Sequence, residues 1–167
     1  MLRMMLLGTL LLAGTAYAEC QGPAAITPPA GHEAFGAAHA KGEQIYQCTF
    51  NQGQYAWQYL APEAVLRNNQ GLVIGKHFAG PTWEATDGSK VTGKVLEKMD
   101  INPDTSVPRL ILEAVGHEGK GVLAQTRFIT RIKTVGGLPP VSGCNGNHLG
   151  SEKRVAYTAD YVFFKAR

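Results

Sequence analysis

The chain is predicted to fold as an all-β domain, an antiparallel β-sandwich or barrel of about eight strands. Three observations lead there. Apolar residues recur at every second position through most of the sequence after Gly42, which is the period of a half-buried strand. The runs with that rhythm are short, and clusters of Gly, Asn, Asp and Pro separate them as hairpin punctuation. No stretch keeps its apolar residues at the three-and-four spacing of an amphipathic helix.

Residues 19–41 are rich in Gly, Ala and Pro and carry no usable period, so they are expected to form a loose N-terminal arm. A single β domain then spans 42–167. Gln44, Tyr46, Cys48 and Phe50 alternate on one face of the first strand. Asn51-Gln52-Gly53 turns the chain, and Tyr55, Trp57 and Tyr59 share a face of the second. Leu60-Ala61-Pro62 interrupts that strand, because proline cannot donate to a ladder. Ala64 to Arg67 makes a further short strand, Asn68 to Gly71 turns, and Leu72 and Ile74 lead toward Phe78. Gly75 to Ser89 is too broken for a helix and holds a histidine, a tryptophan and two carboxylates among turn formers. It is either an elaborate turn or a site.

Lys90 to Met99 carries Val91 and Val95 at even spacing. After a loop bracketed by Pro103 and Pro108, Arg109 to Val115 is apolar on both faces, as in a central strand. His117 to Gly121 turns back. Val122 to Thr134 alternates clearly, with Val122, Ala124, Phe128 and Ile132 expected inside and Gln125, Arg127, Arg131 and Lys133 outside. A turn-rich connection runs from Gly136 to Gly150, and Arg154 to Phe164 is the last strand. Its Val155, Tyr157, Ala159, Tyr161 and Phe163 share one face.

Met1–Ala18 has the form of a secretory signal peptide, with Arg3, an apolar stretch from Met4 to Leu12, and Ala16-Tyr17-Ala18 as the small-x-small cleavage site. The apolar run falls short of the ~20 residues that cross a bilayer. Glu19 before Cys20 does not fit a lipoprotein box, where that residue is small. Cleavage after Ala18 is expected to release a soluble periplasmic or extracellular chain with no membrane insertion. Lys and Arg total 16 against 13 Asp and Glu, a net charge of +3 spread singly along the chain. That is too weak a field to indicate nucleic acid.

The three cysteines would meet an oxidising compartment, where two can pair. A Cys48–Cys144 bridge would close a loop of roughly 100 residues and remove ~4–5 kcal/mol of unfolded-state freedom in the entropy model. Cys20–Cys144 is the competing pair, although a residue so near the mature terminus orders little of the chain.

Several strings carry a family resemblance. They are Ile45-Tyr46-Gln47-Cys48, Ala61 to Leu66, Gly75-Lys76-His77-Phe78-Ala79-Gly80-Pro81-Thr82-Trp83-Glu84, and Asp87-Gly88-Ser89. Thr134 to Pro140, Gly143-Cys144 and Val155 to Phe164 follow in order. Together they resemble domain-of-unknown-function family 3455 over nearly the whole mature chain. The resemblance implies a secreted or periplasmic β-rich protein and brings no established activity with it. Pro108-Arg109 departs from the family pattern, in which a tryptophan is expected after the proline.

His77, Glu84 and Asp87 are the candidate reactive groups, since an imidazole and two carboxylates could perform acid–base work or assist a metal. Turn chemistry offers a simpler account, with Asp87 bonding its own backbone, Gly80-Pro81 setting a bend and Trp83 filling core. His32, His39, His117 and His148 are scattered without metal-ligand spacing, so no metal is assigned. A Gly-x-Ser-x-Gly elbow is missing, and a Cys48–Cys144 bridge would deny the free thiol of a Cys–His hydrolase. Gly119-Lys120-Gly121 and Gly143 to Gly150 lack the strand–loop–helix setting of a phosphate or dinucleotide loop, so no cofactor is assigned.

Tyr55, Trp57, His77 and Trp83 form the candidate ligand-binding set, because aromatic faces stack on sugars and other flat or apolar ligands. Asn51, Gln54 and Gln58 would supply a polar rim. The expected function is non-catalytic binding of a small molecule, glycan or envelope component by an exported protein. The alternatives are a hydrolase-type or metal-assisted enzyme using His77 with Glu84 or Asp87, and a structural or stress-related envelope protein with no site.

Overall fold

The structure, a computed structural model, describes residues 26–167. Eight strands run in sequence: β1 (His32–Asn51), β2 (Gln54–Arg67), β3 (Val73–Phe78), β4 (Thr82–Ala85), β5 (Lys90–Met99), β6 (Arg109–Glu118), β7 (Phe128–Gly136) and β8 (Glu152–Ala166). Each pairs antiparallel with its sequence neighbours, and β8 returns to β1, so the sheet closes into a barrel. Closure gives every strand a partner on both sides over at least part of its length, which limits the exposed sheet edges that invite aggregation. Eight strands enclose an interior that side chains can fill or that holds one small ligand.

The wall is uneven. β2 pairs with β3 only over Ala64–Arg67, and β5 pairs with β4 only over Lys90–Thr92. The short β3–β4 hairpin therefore leaves the barrel cut away between the first part of β2 and the last part of β5. Gly80 forms the hairpin tip at φ 132, where a side chain would also strike Thr82.

The two ends differ. At the end where β1 begins and β8 ends, a 3-10 turn at Val122–Gln125 lies across the opening and buries Leu123. Beside it, the middle of the barrel is packed by Trp83, Val91, Leu112, Ile129, Tyr161 and Phe163. At the opposite end the β7–β8 connection is stapled to β1 by the Cys48–Cys144 disulfide, with Cα atoms 5.3 Å apart. The Trp57 indole N–H also donates to the Ser142 carbonyl there, at 2.8 Å. The expected bridge is thus the one present; Cys20 and the Met1–Ala18 segment lie outside the described residues.

Four local expectations change. β1 starts at His32, so residues 32–41 of the expected arm belong to the barrel. There Gly36, Ala38 and Ala40 sit opposite Phe163, Tyr161 and Ala159 of β8. Small residues are required where the neighbouring strand contributes large rings to the same interior. Leu60-Ala61-Pro62 does not break β2, because a bulge absorbs the extra residue. Pro62 lies where β2 has no partner on the β3 side, so its missing N–H goes unused there. Gly75 to Ser89 contains most of a regular hairpin, with His77 opposite Trp83.

The fourth change inverts a strand. Val122–Gln125 is the 3-10 turn, and β7 begins at Phe128 with Ile129 and Arg131 facing inward. Phe128 instead packs edge-on against His32, with ring centroids 4.7 Å apart.

Candidate functional site

A cavity of about 490 Å³ opens at the disulfide end, above the packed middle of the barrel. It falls in the roughly 300–1,000 Å³ range of small-molecule sites. Its sides include Tyr46 from β1, Tyr59 and Pro62 from β2, and Leu110 from β6. The gap between β2 and β5 brings Leu60 and Lys98 to its edge. Tyr46 is fixed by donating its hydroxyl to the Gly137 carbonyl.

His77 and Trp83 line the inner part. Opposed across the β3–β4 ladder, their rings stack at 4.3 Å and 14°. Tyr161 meets both edge-on, at 4.9 Å and 5.2 Å. Trp83 is 1% exposed and fits over Gly93, where a Cβ would come within 3.1 Å of the indole. A larger residue at that position would displace the ring.

The hydrogen bonding of His77 sets its chemistry. Nδ1 lies 2.9 Å from the Thr82 carbonyl, and a carbonyl only accepts, so Nδ1 carries the proton. Nε2 then holds a lone pair. Burial, reinforced by the Arg131 charge, lowers the His77 pKa to about 3 against an opposing contribution from Thr82. The ring is neutral at neutral pH.

Arg131 is 8% exposed and lines the same cavity. Its Nε and Nη2 donate to the Pro108 carbonyl at 3.1 and 2.9 Å. Beside it, the Tyr161 and Tyr157 hydroxyls lie 3.4 Å apart, and burial raises both pKa values so that both stay protonated. Gln44, 2% exposed, completes the polar set. Among the described residues three buried side-chain atoms find no hydrogen-bond partner. Two, Gln44 Nε2 and Trp83 Nε1, belong to residues of the cavity lining but are themselves closed off from it; the third, Thr126 Oγ1, follows the 3-10 turn at the other end.

Of the expected ligand-binding set, His77 and Trp83 line the cavity, whereas Tyr55 and Trp57 lie outside it. Trp57 packs with Tyr46 and the disulfide, and Tyr55 is exposed against Phe50 at 4.6 Å. The enzyme alternative required His77 to meet a carboxylate, and the fold separates them. Glu84 follows inward-facing Trp83 and so projects outward, 3.4 Å from Lys76. Asp87 sits at the plugged end, where its carboxylate accepts from the Ser89 amide, the Ser89 hydroxyl and the Val122 amide at 2.9, 2.6 and 2.7 Å. Those bonds hold its pKa below the usual carboxylate value and tie the 3-10 turn to the barrel.

The remaining histidines also stay away from the cavity. His39 bonds Asp160, His117 donates to the Thr126 carbonyl, and His148 lies beside Asn145. Among the described residues, no three His, Cys, Asp or Glu side chains converge as metal ligands would.

Residues 29–165 match the family described as Protein of unknown function (DUF3455). The chain belongs to that family. No curated protein and no solved structure matches it. Gln44 and Tyr161 were legible as members of alternating strand faces, but nothing local marked them as cavity residues. Arg131 was hidden more deeply, because the alternation of Phe128, Thr130 and Ile132 competes with that of Ile129 and Arg131.

Proposed function

We propose that this DUF3455 protein is an exported, non-catalytic barrel that holds one small molecule in the cavity above His77 and Trp83. The observation that carries the reading is a largely hydrophobic hollow beside a gap in the wall, with the polar side chains of His77 and Arg131 in its lining. Buried polar groups are normally hydrogen-bonded, and leaving one without a partner costs about 1–3 kcal/mol. A ligand would take up the open hydrogen-bonding capacity of His77 Nε2 and the Arg131 guanidinium while burying its own apolar surface.

Two features support export as a water-borne protein. The disulfide suits an oxidising compartment. The outer face carries ion pairs, including Arg154 with Glu43 and Glu63 at 3.1 and 2.9 Å and Lys90 with Glu118 at 2.9 Å. Charged outside and apolar inside is the reverse of a membrane-spanning barrel.

Trp57→Phe leaves Trp83 as the sole tryptophan of the two, reporting from the cavity. Titration with neutral and acidic aromatic, alkyl and sugar compounds should shift Trp83 emission for one class and raise its Tm. The reading fails if none of these compounds changes either signal. Export is checked separately, by fractionating cells and finding Glu19 as the first residue.

A further inference from the structure

Resting on that reading, we infer that the ligand is a small organic acid whose carboxylate is held by Arg131 and whose apolar body lies along Tyr46, Tyr59, Val95 and Leu110. Among the described residues Arg131 makes no ion pair, and neither Asp nor Glu lines the cavity. Burying a charge without an opposite partner is costly. Two of the five guanidinium N–H groups serve Pro108 and the Tyr161 hydroxyl lies close enough to take another, leaving the rest for a further acceptor.

The rest of the lining has the same bias. Lys98 adds a second cation at the edge. An ionised carboxylate offers only acceptor sites, about four of them, and can take a guanidinium two bonds at a time. It therefore matches a cavity whose charged residues, Arg131 and Lys98, are both cationic. A neutral sugar could bond the Tyr59 and Tyr161 hydroxyls and His77 Nε2 but would leave the Arg131 charge without an opposite partner. One buried guanidinium calls for one negative charge.

The test compares aryl and short alkyl carboxylates with their own primary amides, by Trp83 emission in the Trp57→Phe protein and by calorimetry on the wild type at neutral pH. The carboxylates should bind at least tenfold more tightly. Arg131→Gln should bring their affinity down to that of the amides and leave the amides unchanged, while Lys98→Gln should lower carboxylate affinity by less than threefold. Amides that bind the wild type as well as the acids overturn the acid assignment while leaving the cavity reading intact. Loss of the acid preference in Lys98→Gln rather than Arg131→Gln overturns the placement of the head group. If neither series binds but a neutral sugar does, the acid is wrong and the cavity stands; if nothing binds, both fall. The wild-type comparison decides the charge preference even if Arg131→Gln does not fold.

Discussion

Removing the Cys48–Cys144 bridge should destabilise the barrel chiefly by freeing its unfolded state. The bridged residues are 96 apart in sequence, and the chain-entropy model gives about 4.7 kcal/mol for a loop near that length. The folded state loses little when the bond is cut. Cys48 still exchanges backbone hydrogen bonds with Gly150 and Ser151 at 2.9 Å each, and the Trp57–Ser142 bond at 2.8 Å still holds the connection. Measured losses for such bridges run about 2–5 kcal/mol, so that range is expected here. In Tm it amounts to a fall of roughly 5–20 °C for a domain of this size.

The clean variant is Cys48→Ala/Cys144→Ala, since either single change frees a partner for Cys20. Urea unfolding of oxidised, reduced and double-variant protein should give one stability for the last two, and a steeper denaturant slope because their unfolded chains are more open. Cys20→Ala should leave the oxidised protein unchanged. A loss below ~1 kcal/mol in the double variant would refute the reasoning, because the unfolded chain would then gain little freedom from losing the bridge.

Three further predictions follow from single side chains. The lowered His77 pKa means the unfolded chain takes up a proton below pH 6.5 and the folded chain does not until about 3; stability present above 6.5 should fall with acidification by up to about 1.4 kcal/mol per pH unit. His77→Gln should flatten that limb of a stability–pH curve, and an unchanged slope would count against the buried neutral ring. His39 behaves oppositely: hydrogen bonds to Asp160 and then Asn69 raise its pKa above 6.5, so its contribution is full below pH 6.5 and lost as pH rises through the folded value. The stability difference between wild type and His39→Gln should therefore shrink toward alkaline pH; a difference that grows would exclude the pairing with Asp160. Ser89→Ala removes the hydroxyl that accepts from the buried Leu123 amide at 3.2 Å and should cost about 1–3 kcal/mol. Hydrogen exchange should quicken at residues 121–126, and unaltered exchange there would show that the 3-10 turn is held by other contacts.

Strand identity was largely readable in this sequence because it is written locally. In β8, Tyr157, Ala159, Tyr161 and Phe163 alternate with half-buried or exposed neighbours, and the fold keeps that face inside. What could not be read locally was set by closure. Ala38 and Ala40 gave too weak an apolar signal to mark a strand, yet they face the interior because Tyr161 and its neighbours on β8 fill the space opposite. β7 offers two competing faces, Phe128 with Thr130 and Ile132, or Ile129 with Arg131, and charge alone favours turning Arg131 outward. Its register decides otherwise: Arg131 pairs with Leu110 on one side and Tyr161 on the other, both facing inward. Such a register is fixed only when all eight strands meet around the ring, since a one-residue slip would exchange the two faces. The residue on which the proposed ligand most depends is therefore one that local pattern assigns to solvent and the closed barrel turns inward. A guanidinium held there without an acidic partner is costly to bury, and that conflict between local chemistry and global geometry is the ground on which we propose the cavity as a site.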